Sequence, residues 1–346
     1  MIGEKTIILP RVVVIGKNVS GKVAGILDKL KLGRHVITVS DNITYKILGE
    51  KIEHLLIEDG FHVRSFHIAK ADLSTVEELY KFVEKELILL AIGGGSVIDV
   101  CKAAAKLVKI KFISIPTAAS HDGIASSRAS IWKKNLKHSI EAEPPVAIIA
   151  DTEIIKKAPE KLFRAGCGDV LSNYTAVLDW KLAHRKYGEY YGDYAANLSL
   201  LSAQMIMKNA ESLRIIDEAA VRILLEALIS SSVAMSIAGS SRPCSGGEHL
   251  FSHALDMIHP GAALHGEQCG IGAILCAYLH GADWKSIKKT LEIIGAPTRA
   301  KDINIENKYI IDALIRARCV RDRYTILSEI SEKTAIEAAK STGVIE

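Results

Sequence analysis

Short apolar runs rich in β-branched residues alternate with amphipathic segments along the first ~150 residues. Strands covered on both faces by helices are apolar throughout, whereas amphipathic helices repeat apolar residues every three or four positions. The alternation is therefore typical of an α/β domain with a parallel sheet. It predicts strands at 12–15, 35–39, 62–67, 86–92, 112–115 and 146–150, and helices at 20–29, 44–58, 75–84 and 97–108.

From about Lys156 the pattern changes to long helices, which Gly, Pro and Ser interrupt at 240–247, 259–261 and 295–297. We therefore predict a Rossmann-like α/β nucleotide-binding domain at 1–155 and an all-α metal- and substrate-binding domain at 156–346. The least polar stretch, 227–241, is shorter than the ~20 apolar residues that a membrane span needs. It predicts a buried helix.

Composition and charge indicate which partners and which cell compartment to expect. The 346 residues include 44 Lys and Arg against 40 Asp and Glu, and the basic residues are scattered, so we expect no nucleic-acid partner. The six cysteines contain no Cys-x-x-Cys pair, which favours reduced thiols in a cytoplasmic protein. The first ten residues lack the long apolar centre of a signal peptide, and we expect no stable membrane insertion.

Three glycines and a serine, Gly93-Gly94-Gly95-Ser96, separate a predicted strand from a predicted helix. Glycine lets a ligand approach the backbone, and a helix N-terminus offers N–H groups to a phosphate. The unit is not Gly-x-Gly-x-x-Gly, and it fits either a phosphate-binding turn or a tight connection without a ligand.

Two other segments follow predicted strands and so belong at the same carboxyl edge of the sheet, where α/β sheets bind ligands. Asp41 follows the second strand and is either a ribose-binding carboxylate or a helix N-cap. A carboxylate favours the 2′-hydroxyl of NAD(H), but nearby Arg34 and Lys46 leave NADP(H) possible. Residues 116–123 follow the fifth strand.

In the helical half, acidic and imidazole side chains stand beside glycines at Asp169, at His249 and His253, and at His265. His249 and His253 are four residues apart and share one helix face. An Asp and two His suit zinc, iron or nickel and leave a coordination position open. A zinc-protease helix is excluded because no Glu follows the first His. Cysteine ligation is the alternative, through Cys167, Cys244 or Cys269.

Together, the glycine turn 93–96, segment 116–123, Asp169, His249 and His265 resemble the superfamily of iron-type alcohol dehydrogenases, glycerol dehydrogenases and dehydroquinate synthases, over essentially the whole chain. Segments 117–126, TAASHDGIAS, and 240–249, SSRPCSGGEH, are similar to the archaeal sn-glycerol-1-phosphate dehydrogenase family, from which Cys244 departs where many relatives carry Ala. The resemblance implies a dehydroquinate synthase-like fold. It also implies zinc- and NAD(P)H-dependent reduction of dihydroxyacetone phosphate to sn-glycerol 1-phosphate, for archaeal ether phospholipids, by a cytoplasmic homo-oligomer.

The resemblance also implies residue roles. Zinc would bind to Asp169, His249 and His265, while Asp122, Asp169 and His253 would contact the substrate and act in catalysis. The NAD(H) or NADP(H) cofactor would contact Gly93, Gly94, Gly95, Ser96, Val97, Thr117, Ala118, Ala119, Ser120 and Ser126.

Reduction of a ketone needs a group that stabilises the developing negative charge on oxygen. The chain contains no Tyr-x-x-x-Lys pair, so we expect a metal in this role. His253 would position the substrate, relay a proton or orient another group. Candidate partners for the substrate phosphate are Arg242, Arg128, Lys137 and His138. The alternative functions are a metal-dependent glycerol dehydrogenase, a dehydroquinate synthase-like cyclase and a silent nucleotide- or metal-binding regulator.

Overall fold

The computed structural model of the chain describes residues 6–83, 87–133 and 136–346. The chain divides into two compact units. One comprises Met1–Ala119 with Gly123–Ala158, and the other comprises Ser120–Asp122 with Pro159–Glu346. The first unit is α/β and the second is helical, which confirms the predicted fold class.

A six-stranded parallel sheet forms the centre of the first unit. Its strands are β1 Val12–Gly16, β2 His35–Ser40, β3 His62–His67, β4 Ile88–Gly93, β5 Phe112–Pro116 and β8 Ala147–Asp151, in the order β1-β8-β5-β4-β2-β3. Strands β4 and β8 are buried along their whole length, as the apolar runs predict. Position 86 of the predicted fourth strand lies outside the described residues.

The helices of this unit follow the prediction closely, although position 84 lies outside the described residues. They are α1 Val23–Leu30, α2 Asn42–Thr44, α3 Glu50–Glu58, α4 Leu73–Phe82, α5 Gly95–Val108 and α6 Thr152–Ile155, with a π-helical turn at Tyr45–Gly49 and 3-10 helices at Val19–Lys22 and Asp122–Ile124. An apolar core joins α1 and α3 to the inner strands through Leu27, Ile52 and Leu90.

An antiparallel hairpin was not predicted. It consists of β6 Arg128–Lys133 and β7 Leu136–Glu141. The sequence pattern is weak because only Ala129 and Ile131 of β6 are buried. A strand with so few apolar positions is hard to distinguish from a loop.

The second unit consists of helices, as predicted. They are α7 Glu160–Tyr187, α8 Asp193–Lys208, α9 Ala210–Leu213, α10 Glu218–Ala238, α11 Gly247–Ile258, α12 His265–Leu279, α13 Trp284–Ile294, α14 Asn307–Arg316 and α15 Glu332–Ser341, with 3-10 helices at Ala300–Ile303, Ala317–Cys319 and Ile326–Glu329. Helix α12 is buried from Gly266 to Ala277 and is packed by α7, α11 and α13.

The apolar stretch at 227–241 belongs to α10 and to the turn after it, which begins at Gly239 in a left-handed conformation with φ 69°. By length and composition this helix could cross a membrane, but 56% of its most apolar window is buried within the protein. It packs against α7 and α8 as a core helix.

Candidate nucleotide and metal sites

The glycine turn joins β4 to α5 at the carboxyl edge of the sheet. Gly94 is the N-cap residue of α5 and supplies no side-chain cap, so the first-turn N–H groups are left for water or a ligand. A Cβ atom on Gly93 would lie 2.5 Å from Val97 Cγ2, whereas one on Gly94 would meet nothing within 4 Å. Gly93 is thus required by packing, and Gly94 leaves an open space over the backbone that suits a phosphate.

The segment after β5 lies beside this turn. Gly93 pairs with Pro116 in the sheet, and the Thr117 N–H donates to the Gly93 carbonyl at 3.1 Å. Thr117 and Ala119 are buried. Two of the predicted cofactor-binding segments, 93–97 and 117–119, therefore come together at one edge of the sheet.

Ser126, also predicted to bind the cofactor, belongs to a buried polar network. The fully buried Lys102 ammonium donates to Ser126 Oγ at 3.1 Å and to the Arg128 carbonyl at 2.9 Å, and lies 3.6 Å from Asp99 Oδ1. Asp99 Oδ2 accepts from the Ser130 N–H at 3.0 Å. Burying this charge is tolerable because it is paired and hydrogen-bonded, and the pairing fixes Ser126 between α5 and β6.

Asp41 has the N-cap geometry that the sequence left open. Its Oδ1 atom accepts from the N–H groups of Ile43 and Thr44, both at 2.8 Å, and Thr44 Oγ1 accepts from the Asp41 N–H in return. This capping box starts α2 two residues before the predicted helix start. Its role at the ribose stays a prediction.

The proposed phosphate partners are mostly engaged elsewhere. Buried Arg242 donates to both carboxylate oxygens of Glu189 and to the Tyr324 carbonyl. Arg128 donates to the Ser139 carbonyl at 2.8 Å. His138 is exposed on β7, and the side chain of Lys137 lies outside the described residues.

In the second unit, three predicted ligands converge. Asp169 Oδ1 on α7 lies 3.7 Å from His249 Nε2 on α11 and 3.8 Å from His265 Nε2 at the start of α12. Cys269, one turn after His265, joins them, and one ligand atom from each of the four residues lies within 4.8 Å of the others. Among the described residues, Cys269 is the one cysteine of the three weighed as ligands that lies in this cluster.

A neighbouring carboxylate or hydroxyl orients each imidazole. His249 Nδ1 lies 3.0 Å from Glu248 Oε1. Glu248 is fully buried, and its Oε2 atom accepts from Thr175 Oγ1 at 2.8 Å. His265 Nδ1 lies 2.9 Å from Ser252 Oγ, which donates to Gln268 Oε1 at 2.6 Å. Both Nε2 atoms are thereby directed at Asp169, the arrangement by which proteins prepare histidines for a metal.

Sequence reasoning missed these orienting residues. Two signals could have found them, because Glu248 directly precedes His249 and Gln268 is one helical turn from His265. The signal is weak, because the sequence does not show that these side chains are buried against the histidines.

Asp122 and His253, the remaining predicted substrate residues, lie beside the cluster. The Asp122 N–H donates to Asp169 Oδ2 at 2.9 Å, and Ser232 Oγ donates to the Asp122 carbonyl at 2.5 Å. The buried His253 ring stacks against His265 with a centroid distance of 5.6 Å. Ser120 is contiguous with Asp122 in this unit.

The electrostatics of the cluster favour a cation. Burial opposes protonation of His249, but the Cys269 sulfur and the Glu248 carboxylate raise its pKa well above the usual range. Burial raises the pKa of the Cys269 thiol to about 11, against the opposing effect of His249. A positive charge on His249 is thus stabilised by the Cys269 sulfur and the Glu248 carboxylate.

The donor set fits a metal ion. Ligands bound at ~2.0–2.1 Å in tetrahedral geometry are ~3.4 Å apart, and the Asp169–imidazole spacings of 3.7 and 3.8 Å require only small shifts. One carboxylate and two imidazoles suit zinc, iron or nickel.

Two glycines bring the ligands together. A Cβ on Gly168 would lie 2.4 Å from the Gly266 carbonyl oxygen, and a Cβ on Gly266 would lie 1.9 Å from the Ala165 carbonyl oxygen. The backbones of α7 and α12 therefore touch at these two glycines. Asp169 directly follows Gly168, and His265 directly precedes Gly266.

Comparison with known proteins gives a consistent result. The model of the iron-containing alcohol dehydrogenase family matches residues 14–159. The chain is 52% identical to glycerol-1-phosphate dehydrogenase [NAD(P)+] of Thermococcus sibiricus, with 97% of each chain covered. It is 48% identical to the enzyme of the same name from Methanosarcina mazei, covering 97% of this chain and 96% of that one.

Solved structures share the fold at low identity. A probable glycerol dehydrogenase from Sinorhizobium meliloti aligns with a TM-score of 0.79 at 19% identity, over 98% of both chains. Sulfoacetaldehyde reductase from Bifidobacterium kashiwanohense, solved with NAD+, aligns with a TM-score of 0.77 at 19% identity, over 99% of this chain and 100% of that one.

Two features are typical of the class of iron-type alcohol dehydrogenases. One is the parallel sheet with its glycine turn, and the other is the set of helices that brings together Asp169, His249 and His265. At about 50% identity over nearly the whole length, this chain belongs to the glycerol-1-phosphate dehydrogenase family of that class.

Proposed function

We propose that the protein reduces dihydroxyacetone phosphate to sn-glycerol 1-phosphate with NADPH or NADH, and so supplies the glycerol backbone of archaeal ether phospholipids. The observation that carries this proposal is the convergence of Asp169, His249 and His265 in a chain 52% identical to a glycerol-1-phosphate dehydrogenase. The three candidate metal ligands support a reduction in which a metal ion acts as a Lewis acid. The relatives support the substrate and the cofactor.

The dinucleotide would bind in the domain that we place at 1–155. First-turn N–H groups of α5 would receive the pyrophosphate, above the open space at Gly94. The remaining contacts would come from Thr117, Ala118 and Ala119 beside the turn, from Ser120 of the following segment and from Ser126, with Asp41 at the ribose.

The domain at 156–346 would hold zinc through Asp169, His249 and His265, a set that also accepts iron(II) or nickel(II). When bound, the metal would polarise the carbonyl that receives the hydride of the nicotinamide. Glu248 and Ser252 would keep both ligand imidazoles oriented. Cys269, one helical turn after His265, lies beside these ligands.

Asp122, Asp169 and His253 would act on the substrate. The Asp122 N–H fixes one oxygen of Asp169, so the carboxylate keeps its other oxygen toward the imidazoles. The His253 ring, packed on His265, would hold the proton that the product hydroxyl needs. We further propose that the enzyme is a cytoplasmic homo-oligomer that binds neither nucleic acid nor membrane stably.

The decisive experiment compares NADPH and NADH oxidation with dihydroxyacetone phosphate and with dihydroxyacetone, with and without a chelator, followed by chiral analysis of the product. We expect strong preference for the phosphorylated ketone, loss of activity with chelator, and only sn-glycerol 1-phosphate. A preference for dihydroxyacetone would instead favour a glycerol dehydrogenase, and the sn-3 enantiomer would contradict the family assignment.

The glycine turn offers a matched pair of variants. Gly93→Ala should destabilise the protein by about 1–3 kcal/mol, because its Cβ would overlap Val97. Gly94→Ala should change stability by less than about 0.5 kcal/mol, because its φ of −76° suits alanine and its Cβ meets no protein atom.

Denaturation and NADPH titration distinguish the two variants. Gly94→Ala should keep the wild-type unfolding midpoint yet bind NADPH at least tenfold more weakly, since its methyl group fills the space proposed for the pyrophosphate. Wild-type NADPH affinity in Gly94→Ala would show that the dinucleotide binds elsewhere.

A further inference from the structure

A basic pocket lies in the second unit at the C-terminal end of α7. It has a volume of about 690 Å³, within the range of small-molecule sites. Arg318, Arg321 and Arg323 line it together with one acid, Asp322, so these four side chains carry a net charge of 3 − 1 = +2. Tyr187, Tyr324, Ser328 and Cys319 complete the wall.

Arg323 is a mostly buried cation whose hydrogen bonds go to neutral acceptors. Its guanidinium donates to the Ser245 carbonyl at 2.5 Å and to Ser241 Oγ at 2.9 Å. Within residues 6–83, 87–133 and 136–346, no carboxylate forms an ion pair with it. Arg242 nearby is different, because Glu189 binds it through both oxygens. A desolvated guanidinium without a counterion is costly, and an anion would offset that cost.

The electrostatics agree with this geometry. Burial, followed by repulsion from Arg321 and Arg242, lowers the pKa of Arg323 to about 9. The group still carries its proton at neutral pH, because that pKa lies above 7. The pocket therefore keeps its positive potential under ordinary conditions.

The pocket is separate from the candidate metal site formed by Asp169, His249 and His265. Tyr187, in its wall, follows Asp169 by eighteen residues on the same helix, which at 1.5 Å per residue is ~27 Å along the axis. Ile326, between Tyr324 and Ser328, donates its N–H to Asp179 at 2.6 Å, ten residues beyond Asp169. The arginines thus surround a different part of the unit from the one that holds His249 and His265.

We propose that this pocket is a second anion site, which takes the phosphate group of a small phosphorylated metabolite apart from the reaction. Guanidinium groups bind phosphate through paired N–H donors, and three arginines line this pocket. The Ser328 hydroxyl adds a neutral donor. Arg323 borders Ser245, four residues before His249, so occupancy would also stabilise the segment that leads into α11.

Calorimetric titration of the full chain with inorganic phosphate tests the proposal, with ionic strength held constant by chloride. The test protein is the double variant Arg318→Met with Arg321→Met, which leaves Arg323 and its hydrogen bonds to Ser245 and Ser241 in place. The matched control is Arg316→Met, since Arg316 is an exposed arginine two residues away that does not line the pocket.

We expect the wild type and Arg316→Met to bind phosphate equally, and the double variant to lose one binding event or to bind at least tenfold more weakly at that site. Phosphate bound near the metal would be unchanged in all three proteins, and the measurement needs no turnover. Identical titrations of the wild type and the double variant would overturn the proposal. An equal loss in Arg316→Met would also overturn it, by indicating general surface charge.

Discussion

The variant His265→Ala is expected to lose its bound metal and at least ~10³-fold in kcat, because a Lewis acid supplies several kcal/mol of transition-state stabilisation. The fold should survive, since Ser252 Oγ keeps its hydrogen bond to Gln268 when the imidazole is removed. Mass spectrometry measures the bound metal, and turnover with dihydroxyacetone phosphate measures kcat. Circular dichroism shows whether the fold is retained. Treatment of the wild type with a chelator should reproduce the same loss.

The matched control is His54→Ala, which removes an exposed histidine on α3 in the other unit. It should retain metal and activity. A metal-free His265→Ala protein that still turned over at the wild-type rate would refute the metal's role, and one that kept a full equivalent of metal would show that the remaining residues suffice as ligands.

Gly266→Ala is expected to cause the largest loss of stability, roughly 3 kcal/mol, since its Cβ would lie 1.9 Å from the Ala165 carbonyl oxygen. That atom belongs to the helix backbone, so α7 and α12 must move apart. Asp169 and His265 would then separate, and metal binding should fall with stability. The denaturation midpoint and the metal content measure both effects.

Gly25→Ala on α1 provides the comparison, because a Cβ there meets nothing within 4 Å. Alanine in a helix should change stability by no more than about 1 kcal/mol, in the stabilising direction. His265→Ala should lose metal without loss of stability, whereas Gly266→Ala should lose both. A Gly266→Ala protein with the wild-type midpoint would contradict the proposed helix contact.

Much of the first unit follows from the sequence, because buried parallel strands are apolar runs and their helices are amphipathic. The strand predicted at 35–39 is β2, and the helix predicted at 97–108 is most of α5. The β6–β7 hairpin escaped prediction since it has few buried positions. The start of α2 was misplaced by two residues because the Asp41 capping box determines it.

The candidate site was predicted by residue type rather than by position. An aspartate and two histidines beside glycines suggested a metal, and the structure places Asp169, His249 and His265 together. Cysteine ligation through Cys167, Cys244 or Cys269 was the alternative, and of these three Cys269 lies in the cluster because it is one helical turn after His265. Arg242 was considered for phosphate, but Glu189 binds it.

The sequence by itself determined the two kinds of domain, the glycine turn and the residue types of the candidate ligands, because periodicity and side-chain type act locally. Only the tertiary structure decided which atoms meet. Asp169 and His265 are 96 positions apart (265 − 169), and they approach because Gly168 and Gly266 let two helix backbones touch. That Arg323 forms no ion pair with a carboxylate of the described residues was equally invisible in the sequence, since a near-balanced total charge does not show how the charges are arranged in space.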